Sequence, residues 1–221
     1  AILLDVKTQE QIGIGYSLIS PDGSILAYQT LDRKTGETTI HLRDGKSGDD
    51  IGAPLSGQTP ALSPDNKLLV FQTSDKDGQS QLHLWDIAGN KELASPQSGD
   101  YPAFSPDSQM LVYQTADQAP GQDISQTYIN LWDVKTGKRI GEPIEGLYVG
   151  FSPNSETLLY QTSNTATFET STIFLDIAKT AIIKTVTTSV TVVNGQGKGL
   201  AYYYTTYDPD SGLASLNLLD T

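Results

Sequence analysis

Three acidic loops are the first place where this chain could do chemistry: Asp75-Lys76-Asp77-Gly78, the stretch from Asp117 to Asp123, and Asp208-Pro209-Asp210-Ser211-Gly212. Oxygen ligands at alternate positions followed by glycine are what a calcium loop needs. The ligand pattern is short and lacks a late bidentate glutamate. Asp and Gly also fill hairpin turns for conformational reasons, so the turn reading is preferred and no metal is expected. The two histidines, His41 and His83, share one strand position where later segments carry Asn130 and Asn217. A position that recurs in this way points to a structural polar group rather than a general base or a ligand. There is no Gly-x-Ser-x-Gly elbow, His-Glu-x-x-His pair, phosphate-cradling glycine loop or paired cysteine. Carboxylates converging from several strands would escape such a scan, but the strand centres carry Leu, Val, Tyr, Gln and Thr. The expectation is a protein without catalytic residues and without a cofactor.

The elements that carry these residues repeat. One phrase occurs at Ser20–Thr30, Ser63–Thr73, Ser105–Thr115 and Ser152–Thr162, always Ser-Pro-Asp or Ser-Pro-Asn, then a mostly apolar run ending in Gln-Thr. A worn fifth copy spans Asn194–Tyr204. The second residue of the phrase falls at 21, 64, 106, 153 and 195. A period in this range, built from short strands and turns, marks a repeat architecture. The second unit reads as a first strand over Pro60–Leu62 and a turn at Ser63–Asn66. A second strand follows at Leu68–Thr73, a third at Gln81–Trp85, and a fourth near Glu92–Ala94. Pro suits the second position of a tight turn because its φ is fixed, and Asp and Asn close such turns with their side chains. The third strand ends alike each time, as in Ile40–Asp44, Leu82–Asp86, Ile129–Asp133, Ile173–Asp176 and Leu216–Asp220. A further such ending, Ile2–Asp5, opens the chain.

The 221 residues are 37% apolar and 18% charged, rich in the residues that favour strands, with a net charge of −12 and no cysteine. The charge argues against nucleic-acid phosphates and anionic membranes and suits a basic partner. Without cysteine there is neither a disulfide nor a thiolate metal site. No apolar run approaches the ~20 residues of a membrane span, so a soluble protein is expected, with cytoplasm and periplasm or secretion left open. The start at Ala1 is expected of a processed or excised piece.

These residues resemble the WD-repeat β-propeller family. Leu84-Trp85-Asp86 and Leu131-Trp132-Asp133 match its signature, as do the turn Asp133–Gly137 and the Ser-Pro-Asp-Gly turns. The phrase is also similar to the repeats of the bacterial Tol-system periplasmic propeller. The resemblance spans essentially the whole chain and implies an all-β, five-bladed propeller of four-stranded antiparallel blades. The blades would cover residues 14–56, 57–98, 99–144, 145–187 and 188–221, with residues 1–13 completing the last and closing the ring by a terminal strand. One feature departs from the WD pattern: its Gly-His pair is replaced by Gly57-Gln58, Gly99-Asp100 and Gly146-Leu147. The repeated Gln-Thr is expected to hold the blade instead.

In that setting Gln29, Gln72, Gln114 and Gln161 are either a polar ring around a ligand or inter-blade hydrogen bonds. The second is preferred, because a buried amide must find partners. Trp85, Trp132, Asp86 and Asp133 are assigned to the repeat framework. Tyr101, Tyr148, Phe168, Tyr207, Asp208 and Asp210 fall on or beside loops expected to share one face, with the longest loop, Ala116–Thr127. Exposed aromatics on a rigid platform are how interfaces gain energy per side chain. The expected function is a non-catalytic platform or sensor that docks protein there, monomeric if the ring closes. The alternative is a carbohydrate-binding propeller. A lectin repeats one pocket in every unit, whereas here the loops vary and the strands repeat.

Overall fold

The Ser-Pro-Asp phrase turns the chain because each of its residues supplies a bond or a dihedral. Ser20, Ser63, Ser105 and Ser152 are all buried. Each hydroxyl donates to the side-chain oxygen two residues on, Asp22, Asp65, Asp107 or Asn154, at 2.6–2.8 Å. Each also accepts the N–H five residues on, from Ile25, Leu68, Met110 or Thr157, at 2.9–3.0 Å. The fourth residue of the phrase takes a left-handed φ of 60–72° in Gly23, Asn66, Ser108 and Ser155. The Ser24 backbone N–H, with the Ser24 and Ser20 hydroxyls, holds the Asp22 carboxyl down at a pKa of about 2.

The computed structural model describes residues 2–4, 11–14, 17–117, 126–163, 169–187, 190–194, 200–208 and 213–219, and the side chains of 17–116, 126–163 and 169–187. Among the described residues there is no helix, and hence none able to cross a membrane. The chain forms two compact units. The first comprises residues 1–104 and 134–137, and the second residues 105–133 and 138–221.

In the first unit β1 (Ile2–Leu4) and β2 (Gln11–Ile14) pair as a two-stranded antiparallel sheet. Strands β3 (Ser17–Ile19), β4 (Ile25–Leu31), β5 (Thr38–Asp44) and β6 (Leu55–Ser56) follow as an antiparallel sheet in chain order. The next sheet holds β7 (Gln58–Leu62), β8 (Leu68–Ser74), β9 (Ser80–Asp86), β10 (Lys91–Glu92) and β11 (Gln97–Ser98), the last two both pairing with β9. The fourth strand expected near Glu92–Ala94 is thus two short pieces. Pro96 interrupts it by lacking an N–H for the ladder. The first strand begins two residues earlier than expected, at Gln58, with its register shifting between Gln58 and Ala61. β12 (Asp100–Phe104) completes this unit.

In the second unit β13 (Met110–Asp117), β14 (Gln126–Asp133) and β15 (Lys138–Glu145) run antiparallel. β16 (Leu147–Phe151), β17 (Thr157–Ser163), β18 (Thr170–Asp176) and β19 (Ala181–Val186) form a four-stranded sheet. β20 (Val190–Asn194), β21 (Leu200–Asp208) and β22 (Leu213–Leu219) form a three-stranded one.

The second strand of the repeat is buried on both faces, so its residues read as a continuous apolar run rather than an alternation. Leu69-Val70-Phe71, Leu111-Val112-Tyr113 and Leu158-Leu159-Tyr160 are all at most 7% exposed. In the first unit β4, β5 and β8 face one another through Ile25, Ala27, Ile40, Leu42, Leu69 and Phe71, with Trp85 packed against them. The threonine of Gln-Thr ties the second strand to the third. The hydroxyls of Thr30 and Thr73 lie 2.9 Å from Nε2 of His41 and His83, and Asn130 Nδ2 donates to Thr115 at 3.1 Å.

Candidate functional site

The stretch leading into each first strand is a glycine connector. Gly57, Gly99 and Gly146 donate their N–H groups to the carbonyls of Thr38, Ser80 and Thr127 at 3.0, 3.3 and 2.9 Å. The two residues after Gly57 and Gly99 are exposed, as is Leu147 after Gly146, at the end of the sheet away from the Ser-Pro turns. Thr59 and Tyr101, third in Gly57–Pro60 and Gly99–Pro102, hold φ of 49° and 53°. A left-handed backbone is rare for β-branched and bulky residues, and costs about 1–3 kcal/mol where surrounding structure imposes it. One consequence is that the Tyr101 ring stands 74% exposed.

Behind these connectors lies Gln72, 9% exposed. Its Oε1 accepts the Thr59 hydroxyl, and its Nε2 donates to Ser80 Oγ and Asp100 Oδ1, each at 3.1 Å. The amide therefore has a partner for both N–H groups and for its carbonyl. Between the two connectors opens a cleft of about 360 Å³, lined by Thr59, Pro60, Ala61, Gln72, Asp100, Tyr101 and Pro102.

The other glutamines serve differently. Gln114 Oε1 accepts the Tyr148 N–H at 2.8 Å, and the half-buried Tyr148 ring packs edge-on to Phe151, 5.7 Å between centroids. Gln161 Nε2 reaches Thr172 Oγ1 at 3.4 Å, while buried Gln29 Nε2 has no partner among the described residues. In the second unit the exposed connector side chain is Leu147, at 51%.

Of the residues singled out in the sequence, Phe168 and Asp210 lie outside the described residues. Tyr207 and Asp208 sit near the end of β21, opposite Ala214 and Leu213. Trp132 is 4% exposed, edge-on to Tyr113. Asp86 Oδ1 accepts the Gly89 N–H at 3.0 Å, and Asp133 closes β14 opposite Lys138. His41 and His83 stack flat on Tyr28 and Phe71, centroids 4.9 Å apart, and burial pushes the His41 pKa down. His83 Nδ1 also pairs with Glu92 at 2.7 Å. Asp75 caps its own turn by accepting the Asp77 and Gln79 N–H groups at 2.9 Å. Among the described residues no three His, Asp or Glu side chains gather as a metal site.

Asp100 and Thr59 were not singled out in the sequence. The signal for them is the recurrence of Gly-x-Thr/Tyr-Pro at Gly57–Pro60 and Gly99–Pro102, outside the louder Ser-Pro phrase.

No family model matches the chain, and no curated protein sequence does. Solved structures do. The β-propeller domain of the Trilobed protease from Pyrococcus furiosus superposes with a TM-score of 0.62 at 14% identity, over 99% of this chain and 73% of that one. Hydrazine synthase from Kuenenia stuttgartiensis gives 0.51 at 20% identity, over 87% and 56%. TolB from Acinetobacter baumannii gives 0.50 at 19%, over 97% and 56%. The fold is therefore that of a β-propeller domain, and the chain spans little more than half the length of the latter two structures.

Proposed function

We propose that this propeller acts without catalysis, as a platform or sensor that docks a protein at the sheet ends bearing the glycine connectors. The observation that supports this reading is the Tyr101 ring, 74% exposed on a left-handed backbone that a buried glutamine network holds in place. Large apolar side chains exposed on rigid elements are what interfaces use, and Leu147 stands at the corresponding connector of the second unit. The test is a photo-crosslinking residue placed in turn at Tyr101, Leu147, Asp65 and Glu156, the last two in Ser-Pro turns. Adducts with another protein are expected from the first two positions. Adducts from the turn positions alone would move the docking face to the other end.

Sugar binding is the second reading, supported by an exposed tyrosine beside a carboxylate. The loops differ in length and chemistry from repeat to repeat, which weighs against it, and a glycan array with no hits would end it. The repeats further support five blades, with part of residues 1–13 completing the last, since β22 is an edge strand of its sheet. The Trilobed protease propeller is described as having an open velcro topology, the competing arrangement. Light scattering on the purified chain should give a monomer near 23.8 kDa if the ring closes, and a ladder of oligomers if it does not. The resemblance to the Tol-system repeats favours the periplasm over the cytoplasm.

A further inference from the structure

The cleft between the Gly57–Pro60 and Gly99–Pro102 connectors has the chemistry to receive a cation. Its lining offers one carboxylate, one exposed phenol ring, the Thr59 hydroxyl and two proline walls, and no basic side chain. Asp100 lines the cleft, and its Oδ1 accepts from Gln72 Nε2 at 3.1 Å, a bond that orients the carboxylate and uses one of its two oxygens. No Lys, Arg or His among the described residues forms an ion pair with Asp100. Both N–H groups of Gln72 are engaged, so the ring and the full negative charge that a cation meets here are those of Tyr101 and Asp100. Strain of the kind seen at Thr59 and Tyr101 gathers where a surface must be preorganised. Here it presents a ring beside a carboxylate.

We propose that this cleft receives the guanidinium of an arginine carried on an extended segment of a partner protein. The proposal rests on the docking reading above and names the chemistry that docks. A planar guanidinium can donate to Asp100 Oδ2 with its edge while its face lies on the Tyr101 ring, which an ammonium does less well. The aliphatic stem fits along Pro60, Ala61 and Pro102, apolar walls of the kind that long basic side chains cover. The net charge of −12 draws cationic segments towards the chain and repels phosphate-bearing ligands.

The experiment is an amide-resolved NMR titration of the ¹⁵N-labelled chain with N-acetyl-arginine-N-methylamide, with the neutral citrulline analogue as the matched control. The arginine probe should shift the Asp100 and Tyr101 backbone amides and the Gln72 side-chain NH₂, and saturate, while citrulline leaves them in place. Asp100→Asn should weaken the arginine probe by about tenfold, since a charge-assisted bond becomes a neutral one, and Tyr101→Ala should weaken it several-fold. Asp65→Asn, at the other end of the sheet, should leave it unchanged. Shifts spread over the acidic surface and equal in Asp100→Asn would overturn the site, as would no saturable shift at all. Crosslinks from Tyr101 together with a failed titration would leave the docking face and remove arginine. A saturating titration without crosslinks would keep the cation site and remove the platform.

Discussion

Gly146→Ala is expected to lower the free energy of unfolding by about 3 kcal/mol, from left-handed strain and overpacking together. Gly146 holds φ 145°, and a Cβ built there lies 2.6 Å from the Gln161 carbonyl oxygen and 2.9 Å from Cδ2 of Tyr160. The carbonyl belongs to β17 and cannot yield as a flexible side chain would, since Gln161 pairs with Leu147 across the sheet. The connector cannot swing away either, because its N–H is held by Thr127 at 2.9 Å. Gly141→Ala is the control. Gly141 also has a positive φ, 69°, but nothing lies within 4 Å of its would-be Cβ. That substitution should cost only the dihedral, about 1 kcal/mol. Urea midpoints of the two variants separate the effects. Equal losses would mean that close packing of the connector on the second strand does not seat it.

That contact also explains what was legible in the sequence. The Ser-Pro-Asp phrase predicts turns and strands well because its bonds are local: Ser63 bonds Asp65, Asn66 and Leu68, all within five residues. The apolar run after it reports burial on both faces, and these features together indicate a propeller. In the sequence the Gly-x connectors stand out only as a departure from the Gly-His pair. Their role depends on Phe71 and Gln72 lying against Gly57, and on Tyr160 and Gln161 lying against Gly146, contacts between residues about fifteen apart in sequence. The glutamines illustrate the same limit. They are identical in motif, yet among the described residues Gln72 bonds Thr59, Ser80 and Asp100 while Gln161 reaches Thr172 at 3.4 Å. Tyr148 and Tyr101 likewise share a repeat position, but Tyr148 packs on Phe151 while the left-handed backbone turns Tyr101 outward. The turns and the ties between second and third strands recur from unit to unit, whereas the partners of the glutamines do not. The scaffold and Tyr101 are therefore legible in the sequence, and the bonds of Gln72 to Thr59 and Asp100 are not.

Gln72→Leu should then lower stability by about 2 kcal/mol, less than three typical hydrogen bonds would contribute, because leucine recovers part of the loss through burial. Thr59 and Asp100 are exposed and regain water, so no charged group is left orphaned. Gln161→Leu, losing one long bond, should cost under about 1 kcal/mol. Denaturation midpoints of the two variants test whether the repeated glutamine works through its own contacts or as a uniform framework element. Equal losses would favour the framework. The more informative reading comes from the Gln72 variant held well below its melting temperature. Asp100 then keeps its charge but loses the amide that orients it. Binding of the arginine probe should weaken several-fold while the Tyr101 ring stays exposed. Normal melting with abolished binding would instead make Gln72 a ligand-contacting group, and weakened melting with intact binding would confine it to the scaffold. The expected result has both fall together, because one buried amide both bridges two connectors and orients the carboxylate between them.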